Sequence, residues 1–310
     1  MPGFPYGTSD GLACFTGGLS VQLKSSDLKY WPDPKYRSPK AEMIRITELK
    51  LPLDHDEQAL PALIVKTLGI AVVELANHTI YKRSYDARKQ KLLLVYICDV
   101  EVAPALETTL LKQFESHPHL HCKIGPTPDQ NYYPVVQLNI APALRPVVVG
   151  FGPCGIFAAL LLAQMGFKPI VLERGKKVRE RTQDTWGLWR KSTLNPESNV
   201  QFGEGGAGTF SDGKLWSQIK DPRHLGRKVM MEFVKAGAPE EILLVSKPHI
   251  GTFKLVKVVE HMREQIIAVG GEVRFEQRVS DVLIEDGHIR GLTVQNINDR
   301  SEERRVGKEC

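Results

Sequence analysis

The chain has 310 residues, of which 42% are hydrophobic and 25% charged, and its formal net charge is +5. The length suggests two domains, and so small a charge does not indicate nucleic-acid or membrane binding. The five cysteines are scattered and odd in number, which argues against a disulfide framework. With no apolar run of about 18 residues and no signal-peptide pattern, a cytoplasmic protein is expected.

Residues 1–42 are rich in Gly, Pro and Ser and lack periodicity, so they are expected to be a non-native extension or a disordered tail. A clean alternation begins at Met43, the expected natural start. Residues 43–125 then show strand, helix and strand patterns, with apolar residues at helical spacing from Leu60 to Leu68. This order predicts a small α+β N-terminal domain.

A basic cluster lies in this small domain. We interpret it as the charged edge of a hairpin, where Lys and Arg oppose strand pairing. Contact with a phosphate, a nucleic acid or an acidic partner is the alternative, but no aromatic RNA-binding signature accompanies the charges. The cluster comprises Lys82, Arg83, Arg88, Lys89 and Lys91.

Residues 126–144 contain four prolines and are expected to form a linker. Just before them, His117, His119 and His121 alternate along the chain, and Cys122 directly follows the last of them. No carboxylate or second cysteine pair accompanies them at a standard ligand spacing, so we predict a polar surface segment and no metal site.

Residues 145–175 carry the most informative pattern. The β-branched run Val147–Val149 precedes glycines spaced G-x-G-x-x-G, an apolar helical run Ile156–Met165, and a second strand, Lys168–Leu172. The acid Glu173 ends that strand. This order, within about 30 residues, is that of a βαβ unit that binds a dinucleotide.

Each residue of the pattern has a physical role. Gly150 permits the tight turn, Gly152 lets backbone approach a pyrophosphate, and Gly155 lets helix pack on strand. The helix beginning at Pro153 presents free N–H groups to the phosphates. Glu173 can bond the ribose hydroxyls and repels a 2′-phosphate, which argues against NADP in this site.

Three neighbouring residues have open interpretations. Arg174 and Arg181 could meet phosphate or adenine, and a charged helix face is an equal alternative. Cys154 stands alone inside the glycine pattern, which favours a small packing residue over a redox-active thiol, since redox cysteines usually come in close pairs.

A second glycine-rich stretch covers residues 201–215. Gly208 to Lys214 fits a P-loop spacing, but Leu215 replaces the Mg²⁺-binding Ser or Thr, and no apolar strand precedes it. The density of Gly205, Gly206 and Gly208 instead predicts backbone lying close to a flat ligand or a phosphate.

The remaining elements complete a doubly wound domain. A helix over Gly251–Val269 is followed by strands Glu272–Phe275 and Val279–Ile284, a turn at Asp286–Gly287, and a strand over Ile289–Val294. Residues 296–310 lack this pattern and are expected to be a non-native tail after a truncated domain.

Several blocks of the sequence resemble the uncharacterised bacterial FAD-dependent dehydrogenases of the glutathione-reductase-type superfamily. The blocks are VVVGFGPCGIFAALLLAQMGFKPIVLERG, RERTQDTWGLWR, NPESNVQFGEGGAGTFSDGKL, IKDPRH and SKPHIGTF. The resemblance implies an α/β fold, in which a Rossmann-like, three-layer FAD-binding domain with a β-meander spans residues 145–295. A later Gly-Asp segment of that family is not found here, as expected of a chain truncated at its C-terminus.

The resemblance also implies that FAD occupies the first glycine pattern. Its pyrophosphate would lie at the three glycines, its ribose at Glu173, and its adenine against the backbone of Val279. The glycines of residues 205–213 would run beside the pyrophosphate or the isoalloxazine ring. Ser211, Asp212 and Lys214 are candidates for groups near the flavin, and a structural turn is the alternative.

The expected function is that of an FAD-dependent oxidoreductase of unknown substrate, with NAD(P)H as a possible electron donor. A small molecule or a nicotinamide nucleotide is the expected partner, with no membrane and no nucleic acid. The alternative is a regulatory or RNA-associated protein that senses FAD or NAD without turnover.

Overall fold

The computed structural model describes residues 15–16, 19–20, 28–29, 43–88, 91–115, 122–134, 136–138, 144–216 and 219–306. The chain divides by its contacts into two compact units. Unit 1 contains residues 1–31, 133–211 and 252–310, and unit 2 contains residues 32–132 and 212–251. Residues 212–251, which the sequence analysis assigned to the domain 145–295, thus cluster with the small domain. His117, His119, His121 and Lys89 lie outside the described residues, as does most of segment 1–42.

The described residues form fourteen β-strands and six α-helices. The strands are β1 Phe15–Thr16, β2 Leu19–Ser20, β3 Leu28–Lys29, β4 Ile44–Pro52, β5 Asn77–Asp86, β6 Leu93–Glu101, β7 Ile124–Pro126, β8 Gln137–Leu138, β9 Val147–Val149, β10 Ile170–Leu172, β11 Glu272–Arg274, β12 Gln277–Glu285, β13 His288–Asn296 and β14 Glu302–Val306. The helices are α1 Ala59–Leu68, α2 Pro104–Glu115, α3 Pro153–Gln164, α4 Val178–Lys191, α5 Leu225–Lys235 and α6 Thr252–Ala268. No helix among them is long and apolar enough to cross a membrane.

Unit 2 is built on an antiparallel four-stranded sheet with the order β5-β6-β4-β7. Alternating residues of β4, Ile44 and Ile46, are buried against the apolar face of α1, which presents Ile64 to the same core. Gly69 ends α1 in the left-handed region at φ 69°, a common helix stop. The predicted strand at Met43 and the helix that follows it are therefore confirmed.

Cys98 illustrates how thoroughly this core excludes water. The side chain is 0% exposed on β6, and burial raises the pKa of its thiol to about 12. Because the folded pKa lies above the ordinary value of 9.0, the stability that the neutral thiol contributes is complete below about pH 9 and is lost as the pH rises toward about 12.

We therefore expect Cys98 to resist alkylation of the native protein at neutral pH, while the exposed Cys154 reacts readily. Peptide mass spectrometry after a short iodoacetamide pulse measures both sites in one sample. Labelling of Cys98 at the rate of Cys154 would contradict the buried position. Unfolding in urea before the pulse should equalise the two rates.

Unit 1 contains a parallel sheet with the order β11-β10-β9. Helix α3 connects β9 to β10 and buries Ile156, Ala159, Leu160 and Ala163. The strands of a parallel sheet are covered on both faces, and β10 is accordingly buried throughout. The predicted βαβ unit is confirmed, and the chain has a mixed α/β fold.

An antiparallel sheet, β12-β13-β14, follows in the same unit. Asp286 and Gly287 join β12 to β13 with φ values of 52° and 74°, as a two-residue hairpin with positive φ at both positions requires. The turn predicted at this pair is confirmed. Strand β14 lies within residues 296–310, the segment that the sequence analysis interpreted as a non-native tail, and it extends this sheet by pairing with β13.

Candidate functional site

A cavity of about 370 Å³ lies in unit 1 at the carboxyl ends of β9 and β10. This is the edge of a parallel sheet at which ligands of α/β proteins bind. The lining combines glycine backbone, one acid, two arginines and one aromatic ring. Its residues are Val149, Gly150, Gly152, Leu172, Glu173, Arg174, Gln201, Phe202, Gly203, Gly206, Arg278 and Val279.

The glycine turn has the close contacts that its spacing predicts. Gly150 adopts φ 89°, in the region that favours glycine. A Cβ on Gly155 would lie 2.0 Å from the carbonyl oxygen of Gly150, so only glycine lets α3 start this close to β9. A Cβ on Gly152 would have its nearest neighbour, Gly206 Cα, at 3.8 Å. Gly152 therefore leaves open space beside the cavity.

Helix α3 begins at this turn without a side-chain cap. Gly152 occupies the N-cap position, and Pro153 follows in the first turn and lacks an N–H group. The amide of Ile156 bonds the carbonyl of Gly152. The N–H groups of the first turn thus carry the partial positive charge that favours a phosphate at this position.

Glu173 ties three backbone segments together at the floor of the cavity. Its carboxylate accepts hydrogen bonds from the amides of Phe151 at 2.6 Å, Gly175 at 2.8 Å and Gly203 at 3.0 Å. The residue is only 4% exposed. A carboxylate offers about four lone-pair sites, so one acceptor site is left for a ligand hydroxyl. Sequence reasoning assigned Glu173 a ribose contact and did not foresee these backbone bonds.

Two arginines border the cavity and share one acid. Arg174 lies over the ring of Phe202 at 4.0 Å and pairs with Glu197 at 2.6 Å. Arg278 pairs with the other oxygen of Glu197 at 2.9 Å. Sequence reasoning included Arg174 but missed Arg278, which directly precedes the predicted Val279, and Glu197, which lies outside the cavity lining. Phe202 and Gly203 belong to the glycine-rich stretch 201–215, so the predicted closeness of that stretch to a ligand could have identified them as lining residues.

Arg181 has a different environment from Arg174. It is 0% exposed, and its guanidinium donates to the carbonyls of Asn199 at 2.7 Å, Val200 at 2.6 Å and Glu204 at 2.6 Å. Burial lowers its pKa to about 10, although the charges of two nearby glutamates oppose this. Arg181 does not line the cavity, and it holds the loop that does.

Replacing Arg181 with lysine is expected to lower the free energy of unfolding by about 2 kcal/mol. A lysine ammonium cannot donate to the three carbonyls at once in the geometry of the planar guanidinium. Urea denaturation of the protein without ligand measures this loss. The exposed Arg179, whose pair with Glu260 is on the surface, provides the matched control, and its lysine variant should change stability by less than about 1 kcal/mol. Equal effects at both positions would contradict the structural role.

The second glycine-rich stretch contributes only part of its predicted residues to the cavity. Gly206 lines it, with φ 60°, whereas Gly205 and Gly208 do not. Gly205 packs against Thr209, whose oxygen would be 2.0 Å from an added Cβ. The predicted cofactor contacts of Gly205 and Gly208 stay predictions.

The three candidates for flavin-side groups do not line the cavity. Ser211 belongs to unit 1 and donates from its hydroxyl to the carbonyl of Gly208 at 2.7 Å. Asp212 and Lys214 belong to unit 2, where they form an exposed ion pair at 3.2 Å. The roles of these three residues near a flavin stay predictions.

Cys154 and Val279 complete the predicted set. Cys154 is exposed in the first turn of α3 with a free thiol, and it does not line the cavity. Val279 lines the cavity and packs against the small core of Ile170, Leu172 and Val294. Within the described part of the chain, no three His, Cys, Asp or Glu side chains are grouped as metal ligands.

A family model and a curated relative each match part of this chain. A family model described as a domain of unknown function, DUF8436, matches residues 43–101. An uncharacterized protein of Clostridium beijerinckii is 41% identical over 261 residues, which are 82% of this chain and 46% of that protein. The chain therefore spans about half the length of this curated relative.

Two solved structures illustrate the structural similarity. THI4 of Thermovibrio ammonificans is 18% identical, with coverage of 53% of this chain and 54% of that chain and a TM-score of 0.33. A glycerol-3-phosphate dehydrogenase of Bacillus halodurans, solved as a complex with FAD, is 14% identical, with coverage of 53% and 33% and a TM-score of 0.33. TM-scores this low leave any assignment of function to the geometry of the site.

Proposed function

We propose that unit 1 binds FAD in the cavity at the ends of β9 and β10, and that the protein is a flavin-dependent oxidoreductase. The observation that carries the proposal is the arrangement of three features around one cavity: an open glycine turn, an uncapped helix N-terminus and a buried acid with one acceptor site to spare. This combination matches the needs of a pyrophosphate joined to a ribose.

The lining residues fit separate parts of the cofactor. The backbone at Gly150 and Gly152 would receive the pyrophosphate, because no side chain blocks its approach there. Glu173 would accept a hydrogen bond from a ribose hydroxyl. Arg174 and Arg278 would flank the adenine half, where a planar guanidinium can stack on a ring.

The bound flavin would supply the redox chemistry, and the protein would supply position and electrostatics. The residues that line the cavity of unit 1 would hold the adenosine diphosphate half of the cofactor. We propose a small molecule or a nicotinamide nucleotide as the partner that exchanges electrons with the flavin.

Reconstitution tests the proposal directly. The purified protein is mixed with FAD, FMN or AMP, and each affinity is measured by isothermal titration calorimetry and by the visible flavin spectrum. FAD should bind tightly, AMP should compete with it, and FMN, which lacks the adenosine half, should bind much more weakly. A protein that takes up no FAD contradicts the proposal.

Activity is tested on the reconstituted protein. Anaerobic addition of NADH or NADPH should bleach the visible flavin band if the nucleotide is the electron donor. Bound FAD that neither nicotinamide nucleotide nor dithionite reduces would contradict an oxidoreductase and favour a ligand-sensing protein. Free FAD treated in the same way with dithionite provides the reference spectrum.

A further inference from the structure

A second cavity, of about 350 Å³, lies entirely within unit 2. Its walls come from β5, from the first turn of α5 and from the segments on either side of that helix. Backbone bonds join these walls: Arg83 N–H donates to Leu244 at 2.7 Å, and Leu215 N–H donates to Pro248 at 2.9 Å. The cavity is therefore held by main-chain structure, and its size is that of a small-molecule site.

The lining of this cavity carries an excess of positive charge. Lys82 and Arg227 both line it, and His224 adds an imidazole to the lining. Among the described residues, neither Lys82 nor Arg227 is in an ion pair with an acid. The guanidinium of Arg227 donates a hydrogen bond to the carbonyl of Leu243 at 2.7 Å, and its other N–H groups make no hydrogen bond to the described residues.

The one acid among the described lining residues, Asp221, offsets only part of this charge, because Lys82 and Arg227 are both cationic. Both carboxylate oxygens of Asp221 accept amide hydrogens from the first turn of α5, from Leu225 at 2.9 Å and from Gly226 at 2.7 Å. A carboxylate at a helix N-terminus is stabilised there by the helix dipole. The carboxylate of Asp221 is thus directed at the amides of the helix, and the lining keeps a net positive charge that favours an anionic ligand.

Aromatic and apolar side chains complete the lining. The ring of Trp216 is 47% exposed and lies within 5.3 Å of the ammonium of Lys247. The ring of Tyr81 is held between the guanidinium groups of Arg45, at 3.7 Å, and Arg227, at 5.2 Å. A partly exposed indole in the lining of a cationic cavity offers a flat surface on which a ligand ring can stack.

We propose that this cavity binds a small aromatic anion, a ring that carries a carboxylate or a phosphate. The anionic group would pair with Lys82 and Arg227, since charge-assisted bonds to such groups are the strong ones. The ring would lie against Trp216 and the apolar wall. The lining residues all belong to unit 2, and none of them lines the cavity proposed to hold FAD.

Binding of four matched probes tests the inference on the full chain. Benzoate, phenyl phosphate, neutral benzamide and cationic benzylamine are titrated by calorimetry, with inorganic phosphate as a ring-free control. Benzoate or phenyl phosphate should bind, and the tighter of the two identifies the anionic group. Benzamide should bind at least about tenfold more weakly, and benzylamine should not bind.

Variants separate this cavity from other surfaces. Lys82→Met keeps the aliphatic stem and should weaken the anion by about tenfold or more, and Arg227→Met should do the same. Lys91→Met removes the same charge from an exposed position of the same unit and should leave affinity unchanged. Because Arg227 also bonds a carbonyl, Lys82→Met is the decisive variant, and its fold is checked by thermal melting.

Several outcomes would overturn the proposal. These are an absence of binding by both anions, equal affinity for benzamide and benzoate, tighter binding of benzylamine, or no effect of Lys82→Met. Inorganic phosphate that binds as well as phenyl phosphate would contradict the role of the ring. None of these results depends on FAD, so they are distinct from a failure of the cofactor proposal.

Discussion

Replacing Glu173 with alanine is expected to lower the free energy of unfolding by about 3–6 kcal/mol, even without a cofactor. The change removes the common acceptor of the amides of Phe151, Gly175 and Gly203. Each buried donor that is left without a partner costs about 1–3 kcal/mol. Because Glu173 lines the cavity, water can enter part of the vacated space, so the expected loss lies in the lower part of the about 3–9 kcal/mol that three unpaired donors would cost.

Urea denaturation monitored by circular dichroism measures this loss. Glu264 lies exposed on α6 of the same unit, so Glu264→Ala controls for the removal of a glutamate from the surface. The control should change stability by less than about 0.5 kcal/mol. If Glu173→Ala matched the control, the carboxylate would not hold these three segments together.

Glu173→Gln separates the structural bonds from the proposed ribose contact. The amide oxygen can still accept from two amides, but its NH₂ group then faces the third donor. The variant should fold with an intermediate loss of stability and should bind FAD about tenfold more weakly or worse. A variant with wild-type affinity for FAD would contradict the ribose contact while leaving the structural role intact.

Local signals made the βαβ unit predictable from the sequence. The β-branched run at Val147, the spacing of the three glycines and the apolar run of α3 all lie within a few residues of the contacts that they specify. The close approach of Gly155 to Gly150 spans only five positions. The turn at Asp286–Gly287 was predictable for the same reason, since a two-residue hairpin depends on its own φ values.

Contacts between distant segments were not predictable in this way. Arg181 is buried because carbonyls of a loop about 20 residues away converge on it, and that loop has no periodic pattern. The second role of Glu173 has the same origin, because Gly203 reaches it from 30 positions away. The grouping of residues 212–251 with unit 2 likewise depends on long-range packing. The periodicity of a single sequence reflects neighbouring residues, so it predicts none of these long-range contacts.

Two neighbouring glycines should respond to alanine in opposite ways. Gly155→Ala places a methyl group 2.0 Å from a backbone carbonyl oxygen, so α3 must move away from the turn. The expected net loss is about 2–3 kcal/mol, since overpacking costs outweigh the better helix propensity of alanine. FAD binding should fall with it, because the displaced helix carries the amides that we propose bind the pyrophosphate.

Gly152→Ala should leave stability unchanged or slightly higher and should still weaken FAD by about tenfold or more. Its φ of −77° suits alanine, and the nearest atom to the new methyl group is at 3.8 Å. Only ligand binding should suffer, because the new methyl group would occupy the place where the backbone is proposed to meet a phosphate.

Gly187→Ala in α4 is the control for a helical glycine. The added methyl group would have its nearest contact at 3.7 Å, so this variant should stabilise the protein. Thermal melting and FAD titration of the three variants separate packing from binding, and unchanged affinity in Gly152→Ala would place the pyrophosphate elsewhere.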